Sequence, residues 1–391
     1  MDQIIRADAA LRPDGSIGPW WVRVSGGVIL EAQGGDPPEQ ADLHVRDGVL
    51  SPGFVDVHVH GGGGADFTEG ADAGRTVIAA HRAHGTTTMV ASLVSAPVDD
   101  LLVQTEKLRP LVDSSELAGV HWEGPWLSNE HRGAHDPEVL TAPTVQQISA
   151  LIGHPAAQLV RYVTLAPELD NGIEATRELT NHGITVGVGH TNASHAVTSQ
   201  ALTAGATAAT HLFNGMRPLH HREPGPAVAL LHHAEAFLEI IADGVHLHPA
   251  VIRHAWASAQ ARGGSRRIVL VSDAMAAATA HDGDYVLGNL PVRVTRGTAR
   301  LLTDGGEETS IAGSTLTMEA AMRYCIRKAD IPAEDALSAA TAHPAAMLGL
   351  ENVGSLRPGS RADMVLLNSS WKVRRVMRAG QWLTRGLEGT S

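Results

Sequence analysis

From residue 52 to about residue 350, short runs rich in β-branched and aliphatic residues alternate with longer alanine-rich stretches of helical character. The apolar runs begin near Phe54, Thr87, Ala118, Val160, Ile184, Thr207, Phe237 and Ile268, at intervals of 23 to 42 residues, and each interval can hold a crossover helix. Eight such βα units predict an α/β fold, a closed (β/α)8 TIM-type barrel. A doubly wound open sheet would carry a glycine fingerprint after a strand, and Gly187-Val188-Gly189 has no glycine at the third required place. Beyond the eighth strand, residues 283–311 read as a β-hairpin insertion, and Leu316 to Lys328 and Glu334 to Leu348 as helices.

The two ends differ in style. Trp20 to Val24 and Val28 to Glu31 read as strands about the turn Ser25-Gly26-Gly27, and Ala362 to Leu367, Val373 to Met377 and Gln381 to Thr384 read the same way. The expected organisation is therefore a small β-sandwich domain from residues 1–51 and 357–391, with the catalytic barrel spanning 52–356.

Composition narrows the partners. Hydrophobic residues make up 43% of the 391 and charged ones 18%, which fits a globular chain with a large core. A net charge of -12 argues against a general nucleic-acid binder, so any anionic ligand has to meet a locally basic pocket. The single cysteine, Cys325, excludes an internal disulfide, a structural zinc site of several thiolates and a CxxC motif, which fits a reducing cytosol. MDQIIRADAALRPDG has no signal-like apolar core, and no stretch approaches the roughly 20 apolar residues that span a bilayer, so the expectation is a cytoplasmic protein with no membrane contact.

In such a barrel the chemistry sits at the C-terminal ends of the strands. Five of the eight strands end on a candidate ligand or acid/base group: Asp56-Val57-His58-Val59-His60, His121-Trp122-Glu123, Gly189-His190, Thr210-His211 and Ser272-Asp273. Period-two alternation puts His58 and His60 on one face, both within reach of one ion. A lone histidine at a strand end is usually a hydrogen-bonded surface or core residue, but five coincidences around one mouth are harder to accept. Imidazoles with a carboxylate suit a borderline divalent metal, zinc first, with iron, cobalt or manganese as alternatives, and an open position on such an ion brings the pKa of bound water to about 7. Asp273 is either a further ligand or the general base that later protonates a leaving nitrogen. His60 to Gly64 has the look of an esterase oxyanion loop, yet no G-x-S-x-G elbow supplies a nucleophile; the glycines are better explained as a tight passage of backbone beside the site.

The HxH on the first strand, with later His, His and Asp at strands five, six and eight, resembles the amidohydrolase superfamily. Finer motifs, Pro52 to Asp56, Glu123 to Leu127, Leu165 to Glu168, Gly189 to Ala193, Thr210 to Asn214, Asp243 to His246 and Ala312 to Ser314, resemble the N-acetylglucosamine-6-phosphate deacetylase family in its order of motifs. The resemblance covers nearly the whole chain. It implies that Glu123, His190 and His211 are the principal metal ligands, with His58 and His60 placing this chain among members that keep both first-strand histidines, and that one or two divalent ions are held per subunit. It implies that Asp273 is the catalytic acid/base and that His135 helps to polarise the acetyl carbonyl. It further implies that Ala134, Asn214, Gly215, Arg222, His246 and the loop Ile311-Ala312-Gly313 hold a sugar phosphate, with Arg222 lent across a homodimer interface. Gly215 stands where alanine is common in the family, a change that a backbone contact survives. The expected reaction is removal of acetate from N-acetylglucosamine 6-phosphate, in amino-sugar recycling. The nearest alternative is the galactosamine epimer; a cyclic amide or N-acyl amino acid would need no phosphate clamp such as Arg222 and His246. A catalytically silent scaffold would be expected to have lost ligands or the acid/base group, and none is missing.

Overall fold

A computed structural model describes residues 2–383. All eight expected barrel strands are present and start within one residue of the positions anticipated: β1 Phe54–Val59, β2 Thr86–Val94, β3 Gly119–Glu123, β4 Val160–Leu165, β5 Thr185–Val188, β6 Ala208–Ala209, β7 Phe237–Ile241 and β8 Ile268–Val271. They pair in parallel in chain order. The ring closes through a parallel bridge between Val59 and Ala274, with Asp273 N–H donating to His58 O at 2.8 Å and His60 N–H to Ala274 O at 2.9 Å. Parallel strands covered on both faces need unbroken apolar runs, and β1, β2 and β3 are buried along their whole length.

One helix follows each strand: α1 Ala71–Arg82, α2 Val98–Asp113, α3 Val145–Gly153, α4 Gly172–Asn181, α5 His195–Thr203, α6 Gly225–His232, α7 Pro249–Gln260 and α8 Met318–Lys328. Several of them start on a side-chain cap. Thr144 and Gln147 form a capping box on α3, Ser194 accepts from Val197 N–H at the head of α5, and Thr317 accepts from Ala320 N–H at the head of α8, whose last turn carries Arg327 and Lys328.

Two features beyond β8 depart from expectation. Residues 283–311 form not one hairpin but a four-stranded antiparallel sheet, Gly283–Leu287, Leu290–Thr295, Thr298–Leu302 and Glu308–Ile311. It buries Leu287, Val292, Val294 and Ala299 against Val94, Met275 and Ala312 at the barrel mouth. The helix expected over Glu334 to Leu348 is two helices, Ala333–Ala339 and Ala342–Met347. Pro344 explains the break: it has no N–H and would crowd the preceding turn of a continuous helix, but it fits the first turn of a new one.

The chain ends form one further sheet, in the order Gln381–Trp382, Val373–Arg378, Met364–Leu367, Val49–Pro52, Gln3–Leu11, Ile17–Ser25, Val28–Gln33, with Leu43–Val45 also pairing to Gln3–Leu11. The strand Gln3–Leu11 was not anticipated, and Thr384, at the end of the last expected strand, lies outside the described residues. This sheet keeps its own core of Ile5, Val22, Val24, Ile29, Leu50, Met364 and Met377, separate from that of the barrel. Among the described residues no helix is long and apolar enough to cross a membrane.

Candidate metal centre and catalytic cleft

The five strand ends singled out above deliver their side chains to one point. Glu123, the last residue of β3, is at the centre. Its Oε1 lies 2.9 Å from His211 Nε2, 3.3 Å from His190 Nε2 and 3.5 Å from His58 Nε2, and its Oε2 lies 3.1 Å from His60 Nε2. Asp273 Oδ1 closes the other side, 3.3 Å from His60 Nε2 and 3.4 Å from His58 Nε2. Two overlapping groups result, His58, His60, Glu123 and Asp273, and Glu123, His190 and His211, all buried and sharing Glu123.

The backbone turns sharply to achieve this. His190, His211 and Asp273 leave β5, β6 and β8 in the left-handed region, at φ of 44°, 29° and 48°. That conformation costs a non-glycine residue about 1 kcal/mol or more, and it persists where surrounding bonds hold it. Here His190 O accepts from Ser128 N–H at 2.8 Å, His211 O from Asn214 N–H at 2.9 Å, and Asp273 O from Ser314 N–H at 2.7 Å. Gly215 gives His190 its room, since a Cβ at that position would lie 2.7 Å from His190 Nδ1. Alanine, common at this position in the family, would therefore meet a steric cost in this chain. The glycine run after His60 has a packing role too: a Cβ on Gly61 would lie 2.7 Å from Ala276 N.

The proton inventory identifies what the cluster wants. His58 Nδ1–H donates to Glu239 Oε2 at 3.1 Å, His190 Nδ1–H to His131 O at 2.8 Å and His211 Nδ1–H to Asn214 O at 3.2 Å. These acceptors fix the tautomers, so each neutral ring turns a bare Nε2 lone pair toward the centre. There His190 Nε2 sits 3.1 Å from His211 Nε2, and His58 Nε2 3.2 Å from His60 Nε2. Facing lone pairs around two carboxylates are tolerable only with positive charge between them. The electrostatics show how strongly this point attracts positive charge: against the cost of burial, Glu123 and Asp273 lift His58 well above its ordinary value and raise His211. Burial, then His135 nearby, pushes His190 down to about 4, whereas for His60 the pull of Asp273 and Glu123 outweighs burial and lifts it to about 9. Burial alone would raise the Asp273 carboxyl, but His58 and His60 hold it down at about 2. The donor set, neutral imidazoles with shared carboxylates, fits one or two divalent ions.

Above the cluster opens a cleft of about 680 Å³, lined by His60, Glu123, His135, His190, His211, Asp273, Val94, Gly133, Ala134, Asn214, Gly215, His246, Leu287, Ile311 and Gly313. His135 Nε2 is 3.5 Å from Glu123 Oε2. His246 Nδ1 is bound to Asp243 Oδ2 at 2.6 Å, which leaves its Nε2 free for a ligand. Ala312 does not line the cleft; it is fully buried beneath the insertion, its N–H donating to Ala299 O at 3.1 Å. Arg222 does not line it either: within this single chain it is exposed on the loop after β6, its Nη1 2.7 Å from His221 Nε2.

Sequence reasoning missed one residue of consequence. Glu239 on β7 is fully buried and holds two parts of the cluster at once, accepting from His58 Nδ1–H and, at 3.0 Å, from His211 N–H. Its signal was present: an acid inside the five-residue apolar strand Phe237–Ile241 is costly to bury without a partner. His121, named with its strand end, belongs instead to the barrel interior, bonded to Ser92 and Thr164 and stacked on Tyr162.

Comparison with known proteins follows the same line. Residues 49–383 match the amidohydrolase family. An N-acetylgalactosamine-6-phosphate deacetylase of Escherichia coli O157:H7 is 34% identical over 97% of this chain and 99% of its own, and an N-acetylglucosamine-6-phosphate deacetylase of Vibrio furnissii 36% identical over 85% and 82%. A mutant N-acetyl-D-glucosamine-6-phosphate deacetylase from Mycobacterium smegmatis, solved in complex with N-acetyl-D-glucosamine-6-phosphate, superposes with a TM-score of 0.91 at 41% identity, covering 97% of this chain and 99% of that one. The chain belongs to the amidohydrolase family, in its N-acetylglucosamine-6-phosphate deacetylase branch.

Proposed function

We propose that this protein hydrolyses the acetamide of N-acetylglucosamine 6-phosphate, giving glucosamine 6-phosphate and acetate. The observation that carries the reading is the convergence of four Nε2 atoms and the carboxylates of Glu123 and Asp273 at the floor of an open cleft. Glu123, His190 and His211 would hold one divalent ion, and His58 and His60, with Glu123 and Asp273, a second; the donor types favour zinc, with iron, cobalt and manganese as alternatives. When bound, the metal supplies an acidified water and a Lewis-acid pull on the carbonyl oxygen.

The chain's own residues do the rest. Asp273, a carboxylate at neutral pH, takes the proton of the attacking water on Oδ1 and delivers it to the amide nitrogen, which leaves only once protonated. His135, on the cleft wall, directs a ring N–H at the charge that builds on the carbonyl oxygen. The free Nε2 of His246, the Asn214 amide, and the backbone at Ala134, Gly215, Ile311 and Gly313 orient the sugar phosphate, while Val94 and Leu287 keep the walls apolar. Arg222 completes the phosphate contact from a second subunit in a homodimer; its exposure and its distance from its own cleft suit that role. Cytoplasmic amino-sugar recycling is the setting this activity and composition fit.

The 34% and 36% relatives act by name on the galacto and gluco epimers respectively, so both belong in the test. Acetate release is measured on both N-acetylhexosamine 6-phosphates and their unphosphorylated forms, with metal content determined on the same sample. Preference for the gluco 6-phosphate, lost on chelation and restored by a divalent ion, is expected. Arg222→Ala should raise KM for the phosphorylated sugar roughly ten- to a hundredfold and leave turnover of the free sugar alone. Equal rates on phosphorylated and free sugar would refute the phosphate assignment.

A further inference from the structure

The opposite mouth of the barrel holds a second cavity, of about 670 Å³, that takes no part in the chemistry above. Thr88, Ser115, Glu116, Arg161, Asn352 and Arg361 line it. Thr88 and Arg161 stand near the starts of β2 and β4, so the cavity lies at the N-terminal ends of the strands, whereas the metal cluster lies at their C-terminal ends.

Its charge is unusual for this molecule. Arg361 pairs with Asp363 Oδ2 through Nε at 2.8 Å and donates through Nη2 to Thr88 Oγ1 at 2.7 Å. Glu116 is shared, with Arg82 Nη2 at 2.5 Å and Arg378 Nη1 at 3.8 Å. The guanidinium of Arg161, an exposed residue at the rim of the cavity, makes no hydrogen bond or ion pair among the described residues. Arg161, Arg361 and Glu116 are the charged residues of the lining, and Arg82, Arg378 and Asp363 stand behind it; taken together, four guanidinium groups meet two carboxylates in a chain whose net charge is -12. The surplus registers on Arg378, whose guanidinium is held below its ordinary value by burial first and then by Arg361 and Arg82. The buried Nε atoms of Arg82 and Arg378 also have no acceptor. A cluster built only to fasten the chain ends to the barrel would balance its charges; this one has donors and positive charge left over.

We propose that this cavity is a second ligand site, which takes a dianionic phosphate group, either inorganic phosphate or the phosphate of a sugar ester. The Arg161 and Arg361 guanidinium groups meet the phosphate oxygens, and the Asn352 amide and Ser115 hydroxyl offer neutral hydrogen bonds beside them. The site is independent of the deacetylase reading, since none of these residues touches the cleft.

The test is equilibrium dialysis at fixed ionic strength on the metal-loaded protein, with inorganic phosphate in one arm and glucosamine 6-phosphate in the other. Wild type is compared with Arg161→Ala, Arg161→Glu and Asn352→Asp. Arg161→Ala should weaken one class of site by about tenfold or more, the worth of one charge-assisted bond. The two acidic variants should abolish that class, while acetate release in phosphate-free buffer stays at the wild-type rate in all. Asn352→Asp puts a carboxylate in the cavity without altering an arginine, so the conclusion does not hang on one variant. Loss in the inorganic arm, the sugar arm or both names the source of the phosphate. The same number of sites with the same affinity in all four proteins would overturn the proposal, whereas a failed deacetylase reading would appear in the wild-type acetate release alone.

Discussion

Replacing Glu239 by glutamine changes one oxygen of a side chain that touches no substrate, and it should nevertheless loosen the metal. Glu239 Oε2 accepts two bonds, from His58 Nδ1–H at 3.1 Å and His211 N–H at 3.0 Å, and so orients one ligand from each group. With a carboxylate acceptor each bond is charge-assisted and contributes about 1.5–3 kcal/mol; with an amide oxygen it falls to about 0.5–1.5 kcal/mol. Two weakened bonds therefore remove about 2–3 kcal/mol. The metal-free fold bears part of that, so the ion should bind about 10- to 100-fold more weakly. Metal retained after dialysis against graded chelator reads this directly, without reference to activity. At saturating metal, turnover should largely recover. Glu239→Leu should behave differently: it leaves His58 Nδ1–H and His211 N–H buried without an acceptor, at about 1–3 kcal/mol each, and the unfolding free energy should drop accordingly. If Glu239→Gln binds metal within threefold of wild type, the carboxylate does not orient the ligands and the argument fails.

Asp273→Asn should fold normally and lose about 10²- to 10⁴-fold in kcat with KM little changed, and a loss below tenfold would remove Asp273 from proton transfer. The double substitution His58→Ala with His60→Ala should halve the metal content from about two ions per chain to about one, by elemental analysis; an unchanged content would show that the first strand holds none. A fourth prediction concerns acid stability. Burial holds His343 down at about 4 in the fold, against its bond from Nδ1–H to Ile268 O. The unfolded chain takes up this proton as pH falls through about 6.5, and the folded one not until about 4, so stability present above pH 6.5 is lost between those values. That gap is worth about 3 kcal/mol, and His343→Gln should flatten the fall in unfolding free energy over the window by about that amount; an unchanged slope would place the titrating group elsewhere.

What could be read from the chain, and what could not, divides along physical lines. A parallel strand buried on both faces writes itself as an uninterrupted apolar run, so even β6, two residues long, was located from the stretch before His211. Polar residues terminating such runs stand out, and that contrast drew attention to His58, His60, Glu123, His190, His211 and Asp273. Glu239 lies inside its run rather than at its end, and only burial reveals that it has partners. The strands of residues 283–311 are half exposed and alternate weakly, so three turns were merged into one. Arg222 is a different kind of gap: it lies on an exposed loop that no periodicity marks, and within the single chain it bonds only its loop neighbours His220 and His221.

The sheet at the chain ends also has a consequence for how the molecule is made. Val49–Pro52 is buried along its length, yet its antiparallel neighbour is Met364–Leu367, about 310 residues further along. At ~5–20 residues per second, a ribosome takes about a quarter of a minute to a full minute to deliver that partner. Throughout that interval the nascent protein presents an unpaired apolar edge directly ahead of the first barrel strand. Co-translational folding cannot finish the N-terminal segment first, and the chain's need for a chaperone during synthesis should be greatest at that edge.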